Sequence, residues 1–353
     1  MFTTYLIQFF TNAGVVMTSI FIPIFAQSLG GSALAVGMLV GSYNLMLFLS
    51  STLFGRLSDM HERKLFIVLG LVLSSVVLAL HILIRSISSM FLLRALAGLC
   101  GGIFPAALLA FVYEKKGLIG RFTAAGSLGW GIGSVAAGLI AVYNHLFLAA
   151  AFLFFVSFCI GLGLKEKKQP QALPLFPWDV IKKNLTVYLS FFLRHTGAFA
   201  IWAIFPLYLA FLGANKFWIG IIYALNALGQ SLIMPHLDRF PSTRLVDGGL
   251  ILSILTFVIF ALCRNYQQIM PVQLLLALSW SALYVGSLKY LMERNVERST
   301  SVGIFNSLSG LSGIVGPILG GIAGSYGYRA VMVLAAVMSL AGLVLPKIFS
   351  NRS

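Results

Sequence analysis

The sequence predicts an all-α membrane protein, with twelve transmembrane helices in two pseudo-symmetric six-helix bundles. Three observations lead there: composition, the spacing of apolar stretches, and an internal repeat. The 353 residues are 59% hydrophobic, 13% aromatic and 9% charged, with a mean hydropathy of +0.97. A soluble domain needs about 25% charged residues to cover its surface, so an ordinary cytosolic enzyme is excluded, and so is a disordered chain. At about 20 apolar residues per crossing plus a short turn, the length allows about twelve crossings. It leaves no room for a soluble catalytic domain.

Apolar stretches run at about 4–28, 32–55, 65–85, 89–113, 122–143 and 146–164, and again at about 185–212, 216–237, 245–264, 267–292, 300–325 and 328–349. Backbone in lipid must satisfy its own hydrogen bonds, so each reads as a helix. A barrel strand would alternate polar and apolar residues, and these stretches do not. The first stretch is too long for a signal peptide and lacks a basic leader and a clear cleavage site, so it is expected to stay as the first helix.

Basic residues set the expected orientation. Of 24 lysines and arginines, seventeen fall on one set of connections and the C-terminus, among them Arg56, Arg63, Lys64, Lys115, Lys116, Lys167, Lys168, Lys347 and Arg352. The alternate connections hold only Arg85, Lys216, Arg264 and Arg329. The positive-inside rule then predicts both termini in the cytoplasm of a multi-pass protein of the cell membrane. All nine acids, Asp59 and Glu114 included, are read in the same connections, so that no Asp or Glu is expected within a helix. The net charge of +15 is therefore a topology signal with some attraction to anionic headgroups, and nucleic acid is not an expected partner.

One connection is long. Residues 165–184 are basic and carry prolines near the midpoint of the chain, which predicts a cytoplasmic linker between bundles at 1–164 and 185–353. Asn184-Leu185-Thr186 matches a glycosylation acceptor but would face the cytoplasm. Cys100, Cys159 and Cys263 are odd in number and lie far apart in apolar stretches, which predicts packing residues rather than a disulfide or metal site.

The halves repeat at an offset of 182 or 183 residues. Phe9-Phe10 recurs as Phe191-Phe192, Gly14 as Gly197, Pro23 as Pro206, Leu29-Gly30 as Leu212-Gly213, Val36-Gly37 as Ile219-Gly220, and Asn44 as Asn226. Asp59 recurs as Asp238 at 179, and Gly133-Ser134-x-x-Ala137-Gly138 as Gly316-Pro317-x-x-Gly320-Gly321 at 183. Shared punctuation at one offset is harder to obtain by chance than shared apolar residues. Two like-oriented repeats imply a site between them near the midplane.

The most specific motif is Gly55-Arg-Leu57-Ser-Asp59-Met-His-Glu-Arg63-Lys64, after the second stretch. Its carboxylate at a helix boundary can meet free N–H groups and the positive helix end, with two cations four and five residues later. The segment resembles the G-x-L-x-D-x-x-G-R-K loop of the major facilitator superfamily of secondary transporters. Gly55, Leu57, Asp59, Arg63 and Lys64 match, while Glu62 replaces the second glycine and Met60 a common arginine. Arg94-x-x-x-Gly98 is similar to the superfamily's fourth-helix arginine motif. Gly133-Ser134 stands where the drug-exporter branch has Gly-Pro, which argues against an antiporter assignment. The resemblance implies a major facilitator fold, with Gly55, Asp59, Arg63 and Lys64 as a latch holding the halves outward-facing. It also implies that the first, fourth, seventh and tenth helices line a central cavity.

Charges inside the stretches mark the candidate substrate site. A mid-membrane arginine costs about 2.5–3.5 kcal/mol on insertion scales, so Arg94 and Arg194 need a wet cavity, a partner or an anion. His195 stands beside Arg194. Its imidazole would suit proton coupling, but the neighbouring cation and desolvation both favour the neutral form. Gln8 and Asn12 are four apart on one face of the first helix. Arg94, Arg194, His195, Asn12 and Gln8 are thus the expected substrate-binding set, and Lys289, near Glu293, is read as snorkelling. The glycine stripes at 126, 129 and 133 and at 303, 310, 313, 320 and 324 read as close-packing faces.

No G-x-x-x-x-G-K-[ST] loop, HExxH or nucleophilic triad is present, so neither an ATP-driven pump nor an enzyme is expected, and no cofactor or metal. The expected function is secondary transport of a small solute by alternating access in a monomer. A buried cation without a buried anion favours an anionic solute, with a coupling proton or a counter-transported anion. The exporter-like look of helices two to five alternatively suggests efflux of amphipathic, multidrug-like compounds. A non-transporting membrane scaffold of the same fold is the alternative from another class.

Overall fold

The computed structural model describes residues 2–31, 33–140, 142–166, 176–214 and 216–350. Residues 167–175 of the linker, with Lys167 and Lys168, lie outside the described residues, as does Arg352. The same holds for the side chains at Pro23, Val36, Gly37, Pro206, Lys216, Gly220 and Lys347.

The described residues form helices and contain no strand. In chain order these are α1 (Phe2–Ser19), α2 (Ile22–Ser28), α3 (Ala33–Met60), α4 (Arg63–Leu80), α5 (Ile87–Gly101), α6 (Pro105–Glu114), α7 (Ile119–Ile140), α8 (Tyr143–Leu162) and α9 (Trp178–Lys183). Then come α10 (Leu185–Phe211), α11 (Lys216–Ile233), α12 (Ser242–Leu262), α13 (Tyr266–Arg294), α14 (Arg298–Gly324) and α15 (Tyr328–Ser350). Short 3₁₀ turns extend α4 at His81–Leu83 and α11 at Met234–Arg239.

Ten helical runs among the described residues are long and apolar enough to cross a membrane. Two expected stretches are not among them. The first breaks at Ile20-Phe21 into α1 and α2. Along α1, Thr11, Thr18 and Ser19 return their hydroxyls to the carbonyls of Ile7, Gly14 and Val15, which keeps a polar helix satisfied. The other is α11. The fourth stretch also breaks, between α5 and α6, where Pro105 opens α6 at a position that needs no N–H.

The expectation that no acid lies within a helix is corrected. Asp59 is the penultimate residue of α3, Glu114 closes α6, Asp247 lies in the second turn of α12, and Glu293 is next to last in α13. Once nucleated, a helix extends at little cost past the end of its apolar stretch. The acids ride on those extensions.

The chain forms two compact units, Met1–Val180 with Asn295–Gly310, and Ile181–Arg294 with Leu311–Ser353. In the first, α1 packs on α7 and α8, α4 on α8, and α3 on α5. The α1–α7 approach is so close that a Cβ at Gly129 would stand 2.2 Å from the carbonyl oxygen of Phe9. In the second unit α10 packs on α15, and α12 on α13 and α15, around a core that includes Phe205, Tyr208, Phe257 and Phe260. Here Gly316 and Gly320 of α14 bring that helix against the backbone of Thr196 and Ala200. The repeat shows in the turns as well, since Gly30 (φ +81°) and Gly213 (φ +89°) both end a helix in the left-handed region. Large apolar side chains stay exposed, Leu139 by 82% and Leu232 by 72%, as a lipid-facing coat requires.

Candidate functional site

A buried charge cluster forms where α3, α4 and α6 meet the first turn of α14. Asp59 and Arg63 are both 0% exposed. Oδ1 of Asp59 accepts from Nη2 of Arg63 at 2.8 Å, and Oδ2 accepts the backbone N–H of Thr300 at 2.6 Å. Thr300 is the third residue of α14, so this N–H is one the helix leaves open, and the carboxylate meets the positive helix end. Nε of Arg63 donates to Ser299 Oγ at 2.7 Å, and Nη1 pairs with Glu114. Glu114 also receives Arg298 at 3.1 Å, whose guanidinium lies 5.0 Å from the Tyr113 ring centroid. Arg56 pairs with Glu297. Gly55 is where the helices touch, since a Cβ there would lie 2.8 Å from the carbonyl oxygen of Ser299.

Of the four motif residues, the fold thus brings Gly55, Asp59 and Arg63 together. Lys64 is half-buried and enters only through its backbone N–H, which donates to Glu166 at 2.8 Å. Glu114, Glu297, Arg298, Ser299 and Thr300 were not singled out for this role. A Glu-Arg-Ser-Thr run opening a helix is a recognisable N-terminal signal, but nothing in one sequence says which distant carboxylate will cap it.

The expected substrate residues fall into separate places. On α1, Gln8 and Asn12 lie against Gly126 of α7, where a Cβ would be 2.9 and 3.2 Å from their side-chain nitrogens. Asn12 Nδ2 donates to the carbonyl of Gln8 at 2.9 Å. Arg94 of α5 is buried, with its guanidinium 4.4 Å from the Tyr43 ring centroid on α3. Among the described residues its Nε has no hydrogen-bond partner. One turn on, Gly98 lets α5 touch the same residue, since a Cβ would stand 2.2 Å from the Tyr43 carbonyl oxygen. A groove of about 330 Å³ lined by Phe25, Arg85, Tyr143 and their neighbours includes none of these residues.

Arg194 and His195 sit in the second unit, both buried. Nε of Arg194 donates to Ser253 Oγ on α12 at 2.9 Å, and Nη2 lies 3.4 Å from Ser279 Oγ on α13. The two serine hydroxyls are 3.0 Å apart, and Ser253 passes a hydrogen bond to the carbonyl of Gly249. The guanidinium lies 5.3 Å from the ring of Phe257 and 5.2 Å from that of Trp280. Among the described residues no carboxylate pairs with it. His195 stacks on Phe191 and on Trp280, both at 4.8 Å, with the edge of Phe199 also at 4.8 Å. Trp280 stacks in turn on Tyr284 at 4.9 Å. Lys289 reaches not to Glu293 but to the carbonyls of Asp238 and Phe240, at 2.6 and 2.8 Å.

Ser253, Ser279, Trp280 and Tyr284 were not foreseen. For Trp280 and Tyr284 the one signal is spacing, since Gln273, Ala277, Trp280 and Tyr284 follow a 4-3-4 step and share a face of α13. The arrangement can hold a cation in the interior without a counter-ion, its charge offset by hydroxyl dipoles and ring faces.

A model of the Major Facilitator Superfamily matches residues 4–294 and 187–352. A multidrug resistance protein MdtG from Enterobacter lignolyticus is 25% identical over 366 residues, covering 94% of this chain and 87% of that protein. Its counterpart from Salmonella arizonae is 27% identical over 369 residues, covering 94% and 91%. Among solved structures, the human organic anion transporter MFSD10 aligns with a TM-score of 0.77 at 15% identity over 98% of both chains. That last likeness is one of fold.

Proposed function

The chain belongs to the major facilitator superfamily and is a multi-pass membrane transporter rather than an enzyme, and from that premise we propose that it moves small amphipathic anions by alternating access. In this reading the two bundles are 1–164 and 185–353, joined by the 165–184 linker, with twelve crossings and both termini in the cytoplasm. A proton or a counter-transported anion drives the cycle in a monomer, and the direction is efflux, in keeping with the multidrug resistance proteins it resembles.

The observation that carries the reading is the burial of Asp59 on the first turn of α14. A fully buried set of ion pairs is an expensive way to gain stability. It suits an element with two discrete arrangements, one held by the charges and one released. Gly55, Asp59 and Arg63 are assigned to that latch, with Lys64 entering it only through its backbone N–H. For the solute, Arg194 supports negative charge, because among the described residues its burial is offset by hydroxyls and rings and by no carboxylate. His195 is assigned to solute binding beside it, and Arg94, Gln8 and Asn12 are kept as candidate solute-binding residues of the first unit.

The test is flux of naphthalene-2-sulfonate into liposomes holding the purified chain, beside protein-free liposomes and an Arg194→Ala variant. Saturable flux reduced at least tenfold in the variant is expected. Ethidium flux without sulfonate flux would overturn the anionic reading, and no flux of either would favour a scaffold.

A further inference from the structure

Arg194 itself is poorly placed to touch a solute. It is 2% exposed and its donors are turned into Ser253 and Ser279. Trp280 is placed better. It is the fifteenth of the 29 residues of α13, about 21 Å from either helix end at 1.5 Å per residue. Tryptophan in membrane proteins concentrates at the two interfaces, where its N–H reaches water or headgroups. Trp280 stands at mid-helix instead.

The surroundings of this ring are specific. Trp280 is half-buried while its sequence neighbours Ser279, Ser281, Ala282 and Leu283 are buried. Among the described residues its recorded contacts are ring contacts with Phe191, His195 and Tyr284. The ring is held by His195 at 16° and Tyr284 at 22°, so the direction of the N–H is set before anything binds. The Arg194 guanidinium lies 5.2 Å away. Seven residues earlier on the same face, Gln273 is fully buried with neither amide atom partnered. The polar character of this face therefore continues past the ring.

We infer that the indole N–H of Trp280 is the direct donor to the solute's oxyanion, and that Arg194 acts from behind as a fixed positive charge. The ligand class is an organic acid with a carboxylate or sulfonate head beside an apolar body. The inference rests on the anionic reading above and moves the contact from the arginine to the tryptophan. A donor held by stacked rings and backed by a desolvated cation is worth far more than the same pair in water.

The experiment measures equilibrium binding of naphthalene-2-sulfonate and of neutral 2-naphthalenemethanol to the full chain in nanodiscs. Trp280→Phe keeps a ring in the stack and removes the donor. It is expected to weaken sulfonate binding about tenfold, the loss of one charge-assisted hydrogen bond, and to leave the alcohol within twofold. Trp280→Tyr, which restores a donor, should recover part of the loss. On the unmutated chain labelled at indole nitrogen, sulfonate should move one indole N–H signal downfield and the alcohol should not. Sulfonate binding unchanged in Trp280→Phe, or no indole signal responding to bound sulfonate, overturns the inference and leaves the anionic reading standing. A wild-type chain that binds no sulfonate overturns both.

Discussion

Arg63 and Arg194 are both among the largest fully buried side chains of the described residues, and they are stabilised in opposite ways. Arg63 is surrounded by countercharge, with Asp59 at 2.8 Å, Glu114 in contact and Ser299 on its third donor. Arg194 has two serine hydroxyls and two aromatic faces. The first arrangement is closed, because each charge has its opposite inside the protein. The second is electrostatically open, because the balancing charge must come from elsewhere. A closed cluster suits a latch, since moving any member exposes an unpaired buried charge. An open one suits recognition, since an arriving anion completes it.

The sharpest way to break this contrast is Asp59→Asn. It keeps the shape and removes the charge that holds both Arg63 and the α14 N-terminus. Removing one partner of a buried pair costs about 3–5 kcal/mol, which here falls on the arrangement that buries the first turn of α14. Ser301, 0% exposed, can report it as Ser301→Cys in a background with the three native cysteines replaced by alanine. Maleimide labelling is expected to rise at least tenfold in Asp59→Asn. Unchanged labelling would mean that the cluster is scaffolding and not a latch.

Next in size is the contact beneath the cluster. A Cβ at Gly303 would stand 2.3 Å from the carbonyl oxygen of Ser51, which is backbone and cannot step aside. Gly303→Ala should destabilise by about 1–3 kcal/mol, as overpacking does, and should raise Ser301→Cys labelling less than Asp59→Asn. Gly138, with open space where a Cβ would go, is the control, and Gly138→Ala should leave the unfolding midpoint unchanged.

What could be read in advance follows from the range of each interaction. Helix positions depend on runs of neighbouring residues, so the apolar stretches could be placed to within a few residues, and the paired turns at Gly30 and Gly213 showed as a repeat. The breaks at Ile20-Phe21 and before Pro105 were missed, because apolar composition continues through both. The Asp59–Arg63 pair was legible because four residues separate the two charges across the short turn between α3 and α4. The partner of Asp59 at Thr300 is 241 residues away, and the partners of Arg194 are 59 and 85 residues away. Pairs at that range are set by packing, which no local pattern encodes. The cost of burying Arg194 was foreseeable. That serines and rings would offset it was not.

At the open site, Arg194→Gln should lower sulfonate affinity by about tenfold, or about 1.4 kcal/mol. Its unfolding midpoint should hold or rise, because the desolvation penalty of a buried cation is removed with it. Affinity and stability moving in opposite directions is what separates a recognition charge from a structural one. If Arg194→Gln unfolds the protein as a broken ion pair would, the site is closed by a countercharge after all and the contrast with Arg63 fails.

The smallest effect is expected five residues from the largest. Lys64 carries the same formal charge as Arg63 and belongs to the same motif, so the resemblance alone would give both the same role. Their surroundings differ. Arg63 is 0% exposed among carboxylates, whereas the Lys64 side chain is half-buried and pairs with no carboxylate among the described residues. Its one recorded polar contact is made by the backbone N–H to Glu166, which alanine would keep. Lys64→Ala should therefore change stability by less than about 0.5 kcal/mol and leave Ser301→Cys labelling and sulfonate flux within twofold. A lysine that instead matched Asp59→Asn in labelling would show that charge density at this end of α3, and not burial with a partner, is what holds α14.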